Sequence, residues 1–255
     1  MFSAMAPRTL RAASLLITIL LPAAAAAGRL PAGFVYLRAV DPSIAQDMRY
    51  AGPDNFTGHP LPGYQAGECV LRRDVAQALK RVQTDLARIN LGLKTYDCYR
   101  PTRAVRAFMR WADDGARGRV SQRFFPSLPK RRLFALGYIA ARSAHSTGTA
   151  VDLTLVERPA AAVPPFDPRA AYGPCTAPSA QRAPDSSVDM GTGFDCFDAK
   201  SHTLSRALTP EQRRWRGVLV AAMRAHGFRN YFREWWHFSR GPRPRQVYDF
   251  AIAPR

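Results

Sequence analysis

A histidine and an aspartate seven residues apart, His145 and Asp152, are the first residues whose types could do chemistry. Residues 150–156 alternate between apolar and other side chains, which predicts a strand with Asp152 on the face opposite the apolar set. The apolar set is Val151, Leu153 and Leu155. An imidazole and a carboxylate that converge on one point are ligands that Zn²⁺ accepts. The alternative is a histidine that donates a hydrogen bond to a structural aspartate, and these two residues alone do not distinguish this alternative from a metal site.

A second segment, Glu234-Trp-Trp-His237, adds another acid and another imidazole within an aromatic stretch. Residues three apart share a face in a helical turn but lie on opposite faces of a regular strand. The sequence therefore does not decide whether residues 234–237 form a helical turn or a strand. An aromatic core strand with an incidental acid is the alternative. A catalytic zinc needs three protein ligands and a carboxylate beside its water. His145, Asp152 and His237 as ligands, with Glu234 as base, fill these roles once each.

Arg100 stands in the segment Asp97-Cys-Tyr-Arg-Pro101, where a short extended stretch meets a helix. Hydrolysis of a peptide bond passes through an oxyanion, and a lost donor to that oxyanion costs about 2.7–4 kcal/mol. Arg100 could supply the cation. A surface arginine or a salt bridge to Asp97 are the alternatives, and the sequence does not separate the three.

Amphipathic helices and short strands must position these residues. Apolar residues recur every three to four positions from Leu71 to Leu91, which predicts a helix that ends at Gly92. An extended stretch, Leu93 to Tyr99, follows, and then a helix with Pro101 at its first position that continues through Trp111.

A further helix begins at Thr209-Pro210-Glu211 and stops at Gly227, where His226 caps its C-terminus. These helices should supply much of the core. Between Glu157 and Asp189 the sequence is rich in proline, alanine and serine and has no lasting period. We interpret it as an irregular insertion in one domain and not as a second domain.

The N-terminal residues are typical of a secretory signal peptide. Residues 1–11 carry two arginines and no acid, a short apolar run follows, and small residues end it at Ala27. We expect cleavage near Ala27, a domain of residues 28–255 and export to the periplasm; an uncleaved N-terminal anchor is the alternative. No later segment is apolar enough to cross a membrane.

Four cysteines lie in residues 28–255, and an even count in an oxidising compartment favours two disulfides. The simplest of three connectivities pairs Cys69 with Cys98 and Cys175 with Cys196. The net charge of +18 comes from scattered basic residues, which argues against nucleic acid as a partner. Contact with anionic envelope polymers is one interpretation of this charge, and an arginine-rich composition without a partner is the other.

Other hydrolytic and nucleotide chemistries lack their signatures here. The sequence contains no Gly-x-Ser-x-Gly elbow and no phosphate-binding glycine loop. His59 and His202 have the surroundings of loop residues, and they are weaker ligand candidates than His145 and His237.

Taken together, five segments in this order resemble the D-alanyl-D-alanine dipeptidases within the wider group of zinc DD-peptidases. The resemblance rests on the two zinc segments and three others. These others are Asp47-Met-Arg-Tyr50 with Asn55-Phe-Thr-Gly58, Tyr99-Arg-Pro101, and Met190-Gly-Thr-Gly-Phe-Asp195. It covers nearly all of residues 28–255. The fold it implies is a single α+β domain whose mainly antiparallel sheet is flanked by helices, as in DD-peptidases and hedgehog-like domains.

The resemblance also implies roles for individual residues. It places one zinc ion on His145, Asp152 and His237, assigns Glu234 as base and acid, and makes Arg100 the oxyanion cation. By the same analogy Asp195 and Ser143 grip the substrate's free amino group, since a carboxylate that binds an ammonium favours small D,D-dipeptides. Two features depart from the family: Ala144 stands where some members carry serine, and the insertion is long.

Two rival functions remain at this point. One is a peptidoglycan DD- or LD-carboxypeptidase, against which Asp195 argues because it favours a free amino end. The other is a zinc-containing wall-binding module without catalysis, against which Glu234 and Arg100 argue because a structural zinc needs neither.

Overall fold

A five-stranded sheet forms the centre of the molecule in the computed structural model, which describes residue 1 and residues 30–114, 119–242 and 244–255. The strand order is β2-β4-β5-β7-β6. The strands are β2 (Ala45–Gln46), β4 (Leu91–Asp97), β5 (Ala150–Glu157), β6 (Phe228–Tyr231) and β7 (Glu234–Arg240). Only the short β2 runs parallel to its neighbour; the other three pairings are antiparallel. The predicted α+β fold with a mainly antiparallel sheet is therefore confirmed.

Five helices and a two-stranded sheet surround these strands in the described part of the chain. The small sheet pairs β1 (Phe34–Tyr36) with β3 (Val70–Arg72). The helices are α1 (Leu37–Val40), α2 (Arg73–Ala87), α3 (Thr102–Asp113), α4 (Arg119–Phe124) and α5 (Pro210–Ala225). One apolar core lies where α2 and α5 pack on the sheet, and a second, mostly aromatic core packs around α3.

The predicted end of the first long helix at Gly92 was wrong. Helix α2 ends at Ala87, and Gly92 lies inside β4, where it pairs with Val156. Asn90 has a φ of +57°, and this left-handed turn redirects the chain into the sheet. Ile89, which continued the apolar period, is therefore 59% exposed. The free energy gained by pairing β4 with β5 therefore exceeds what another turn of helix would contribute.

The other predicted boundaries lie within two residues of the observed ones. Helix α3 begins just after Pro101, and α5 begins at Pro210 with a capping box between Thr209 and Gln212. Gly227, with a φ of +82°, follows the end of α5 as predicted. The alternation in β5 is also confirmed, since Val151, Leu153 and Leu155 lie in the apolar core, whereas Asp152 faces a cavity.

Two disulfides join Cys69 to Cys98 and Cys175 to Cys196, which confirms the predicted pairing. Residues 158–189 contain a single 3-10 turn, Ser179–Gln181, and an isolated antiparallel bridge from Ser187 to Val156, and are otherwise irregular. The predicted signal peptide, residues 1–27, lies outside the described residues apart from Met1. No helix in the described ranges is long and apolar enough to span a membrane.

Candidate active site

The ladder between β5 and β7 brings together the two halves of the predicted metal site. Asp152 and His237 are direct partners in this antiparallel pair, and the Oδ1 atom of Asp152 lies 2.9 Å from Nδ1 of His237. His145 reaches the same point from a 3-10 turn, His145–Thr147, that ends at Gly148 with a φ of +76°. Its Nε2 atom lies 3.3 Å from Asp152 Oδ1 and 3.1 Å from His237 Nδ1.

These three side chains fit a divalent metal. Metal–ligand bonds of 2.0–2.1 Å in a tetrahedron place neighbouring ligand atoms roughly 3.3 Å apart, close to the distances between these donors. His145 Nδ1 donates to the carbonyl oxygen of Cys98 at 2.7 Å, which leaves Nε2 as the lone-pair nitrogen aimed at the cluster. Within the described ranges, this is the one group of three or more such side chains that could hold a metal ion.

The protonation states of two of the donors also suit a metal. Burial alone would raise the pKa of Asp152, but the two neighbouring imidazoles outweigh it and hold this pKa below its ordinary value. Burial lowers the pKa of His237, although its bond to Asp152 opposes the shift. Asp152 is thus an anion and His237 a neutral imidazole, the forms in which each binds a metal.

Glu234 faces the same cavity as His237, although the two residues lie in a strand and not in a helical turn. Both residues are in β7, and Glu234 Oε2 lies 3.9 Å from His237 Nδ1. An irregularity in the pairing of β6 with β7 puts them on one side. Burial, reinforced by Asp152 and Asp195, raises the pKa of Glu234 well above its ordinary value. A carboxyl group in this environment suits proton transfer near neutral pH.

Arg100 both forms a salt bridge and faces the cavity. Its guanidinium donates to Asp97 Oδ2 at 2.8 Å through Nη2 and at 2.9 Å through Nε, and Nη2 lies 3.6 Å from Asp152 Oδ2. The guanidinium also packs over the rings of Tyr50 and Phe108, about 5 Å from each centroid. The salt bridge considered from the sequence is therefore present, and it holds this cation beside the metal cluster.

Asp195 and Ser143 line the same cavity, which has a volume of about 330 Å³. Asp195 is buried and has a φ of +56°, and its Oδ2 accepts a hydrogen bond from Tyr50 at 2.7 Å. Burial and the nearby Asp152 raise the pKa of Asp195 well above its ordinary value. Ser143 Oγ accepts a hydrogen bond from the backbone of His145 at 3.2 Å. All seven residues singled out from the sequence thus line this cavity.

The sequence assigned no role to Tyr50 or Tyr64, and it considered Asp97 only as a salt-bridge partner of Arg100, although all three hold the site together. Tyr50 bonds Asp195, while Asp97 bonds Arg100 and lies 3.4 Å from His145 Nδ1. Asp97 is fully buried and also accepts from the Tyr64 hydroxyl at 2.6 Å. Asp97 and Tyr50 could have been found from the sequence, because they lie in two segments that carry candidate chemistry or the family resemblance, Asp97–Pro101 and Asp47–Tyr50. Tyr64 lies outside these segments, and its partner is 33 residues away.

Comparisons with known proteins show similarity to one family over most of the chain. A family model described as D-ala-D-ala dipeptidase matches residues 31–163 and 171–252, leaving a gap inside the insertion. The chain is 35% identical to a D-alanyl-D-alanine dipeptidase of Streptomyces coelicolor over 86% of its length and 98% of that protein. It is 30% identical to one of Enterococcus faecalis, over 87% of this chain and 98% of the relative. A D-alanyl-D-alanine dipeptidase of Escherichia coli is 29% identical over 80% of this chain and 82% of its own.

Proposed function

The chain belongs to the D-ala-D-ala dipeptidase family, and from this membership we propose that it hydrolyses D-Ala-D-Ala and related D,D-dipeptides with Zn²⁺ as its cofactor. The observation that carries the proposal is the convergence of a three-donor metal cluster, a buried carboxyl group and a guanidinium in one cavity. His145, Asp152 and His237 would hold the zinc. A bound Zn²⁺ lowers the pKa of a water and polarises the scissile carbonyl.

Glu234 moves the proton in this mechanism. Its raised pKa lets the carboxylate accept a proton from the attacking water and return it to the leaving amine at neutral pH. Arg100 stabilises the negative charge that develops on the carbonyl oxygen, because its ion pair with Asp97 holds the guanidinium at the cavity wall.

Asp195 and Ser143 select the substrate by its free amino end. A buried carboxyl group whose pKa is raised gains most from a cation, and an ammonium 3 Å away restores its charged form. A small cavity beside this group favours dipeptides over long chains. Ala144, which offers no hydroxyl, leaves Ser143 as the one hydroxyl side chain of the Ser143–His145 turn available to the substrate.

The compartment and domain limits are part of the same proposal. Residues 1–27 are a signal peptide, and residues 28–255 form one periplasmic dipeptidase domain with an insertion at about 157–189. Two disulfides in the described ranges support an oxidising compartment. Contact with anionic envelope polymers stays a prediction that the net charge alone motivates.

The test compares Glu234→Ala with the wild type on free and on N-acetylated D-Ala-D-Ala. The wild type should cleave the free dipeptide, lose this activity to a chelator and regain it with zinc. Glu234→Ala should keep one zinc per chain and lose about 10²–10⁴-fold in kcat, the usual contribution of a general base. Substantial residual turnover would refute the role of Glu234. Equal cleavage of the acetylated substrate would favour a carboxypeptidase instead.

A further inference from the structure

The hydrogen-bonded pairing of β6 with β7 contains a gap at the point where the catalytic acid and a metal ligand meet. Asn230 pairs with Phe238, but the next residue, Tyr231, pairs with Glu234. One step along β6 therefore corresponds to four along β7. The three residues of β7 between these pairs, Trp235, Trp236 and His237, have no partner on β6.

This bulge decides where the Glu234 side chain points. In a regular strand, residues three apart project to opposite faces, and Glu234 would lie across the sheet from His237. Extra residues on one strand change that orientation and break the backbone pairing. The carboxylate and the imidazole consequently lie 3.9 Å apart in one cavity. The pairing of His237 with Asp152 fixes the other edge of the bulge.

The side-chain amide of Asn230 spans the bulge. Its Nδ2 donates to the carbonyl oxygens of Glu234 and His237, at 3.0 Å each, and lies 3.4 Å from that of Trp235. Its Oδ1 accepts a hydrogen bond from Thr203 Oγ1 at 2.5 Å. A reversed amide would set Oδ1 against carbonyl oxygens, so the surrounding acceptors fix the orientation of the amide.

We propose that Asn230 is a positioning residue, which holds the Glu234 carboxylate in register with His237 and hence with the metal. The inference rests on the proposed function, because it assumes that Glu234 is the base and His237 a ligand. Asn230 is not among the residues that line the cavity, so it acts through the backbone of β7. The regular ladder is interrupted between these strands, and a single amide donates to backbone carbonyls at both edges of the bulge.

The substitutions Asn230→Ala and Asn230→Asp separate this role from general stability. Alanine removes the donor, and aspartate keeps the size while setting a second oxygen against the carbonyls. A displacement of about 1 Å at a catalytic group can cost on the order of 10²-fold, so we expect kcat for D-Ala-D-Ala to fall 10- to 100-fold. KM should stay within about threefold and zinc should remain at one per chain, since the contacts that bind substrate and metal remain.

Two further variants calibrate the result. Arg229→Ala changes the preceding residue of the same strand and should keep wild-type kcat, because its exposed side chain, within the described ranges, bonds the carbonyl of Gly241. Thr203→Val removes the bond to Oδ1 and leaves both carbonyl bonds, so its loss of kcat should be smaller than that of Asn230→Ala. All rates are measured well below each variant's unfolding temperature, with zinc content determined on the same samples.

Wild-type kcat in both Asn230 variants, beside an inactive Glu234→Ala, would overturn this inference and leave the proposed function intact. A loss that merely follows lost zinc or lost folded protein would also overturn it. An active Glu234→Ala would refute the proposed function itself, and there would then be no base for Asn230 to position.

Discussion

The metal cluster and the insertion at residues 158–189 are held in place by different means. Two of the three cluster residues, Asp152 and His237, are direct partners in the central sheet. The insertion has little regular structure and is fixed by a disulfide, Cys175–Cys196, and by side-chain contacts. In the first region a regular ladder of strands sets the geometry, whereas in the second it is set by side chains and a few isolated backbone hydrogen bonds.

Buried charges reinforce a short stretch of backbone pairing at the end of the insertion, where Ser187 bridges to Val156 and Val188 N donates to Leu155 O at 3.1 Å. Asp185 accepts hydrogen bonds from Arg49 at 2.7 Å, Lys94 at 2.5 Å and the Tyr96 hydroxyl at 2.8 Å. Arg49 and Lys94 are buried, so the insertion covers charges that its own carboxylate neutralises. The comparison implies that changes at Asp152 abolish metal binding and chemistry, whereas changes at Asp185 affect folding and leave metal binding alone.

The largest effect is expected at the metal cluster. Asp152→Ala removes a ligand and the hydrogen-bond partner of His237, so zinc should be lost. Without the several kcal/mol that the metal supplies, kcat/KM should fall by at least about 10³-fold. Zinc content measures the loss of metal, and the rate of D-Ala-D-Ala hydrolysis measures the loss of kcat/KM. Thr154→Val, two residues further along the same face of β5, should keep its zinc; equal zinc in both variants would contradict the assignment.

A smaller effect, on stability instead of catalysis, is expected at the insertion. Asp185→Asn leaves the buried Arg49 and Lys94 with weaker partners, although Asp47 and Asp54 still compensate Arg49. The free energy of unfolding should fall by about 2–3 kcal/mol, with unchanged zinc affinity.

Urea denaturation and zinc competition test this prediction together. Asp167→Asn is the matched control in the same insertion, because the Asp167 side chain is 44% exposed and, among the described residues, its ion pair is with the nearby Arg169. It should unfold like the wild type. Reduced zinc affinity in Asp185→Asn would show that the two regions are coupled.

The sequence predicted the first region better than the second for a physical reason. Alternation in β5 is a local pattern, and it correctly placed Asp152 opposite the buried apolar face. The two disulfides followed from the simplest pairing of four cysteines. By contrast, Asp185 finds Arg49 across 136 residues, and no local period encodes that contact.

Within the site itself, the relation between Glu234 and His237 could not be read from their spacing. It depends on a bulge whose amide comes from the neighbouring strand, and the partner of that amide, Thr203, lies 27 residues before it. The end of α2 was missed for a related reason: the apolar period continues to Ile89, but pairing of Leu91 with Glu157 begins a strand. Tertiary pairing overrides local period at both places.

Acid should weaken the ion pairs that Asp185 of the insertion forms with Arg49 and Lys94. Burial would raise the pKa of Asp185, but Arg49 and Lys94 outweigh it and hold this pKa below its ordinary value. A depressed folded-state pKa contributes stability that is present above the unfolded value, about 3.9, and is lost as the pH falls through the folded one. The stability difference between wild type and Asp185→Asn should therefore be constant from pH 7 to 5 and shrink below about pH 4, by at most about 1.4 kcal/mol per pH unit. Urea denaturation of both metal-free proteins at pH 6, 4 and 3 measures it; a difference that grows on acidification would mean that the carboxyl group of Asp185 binds its partners in the protonated form.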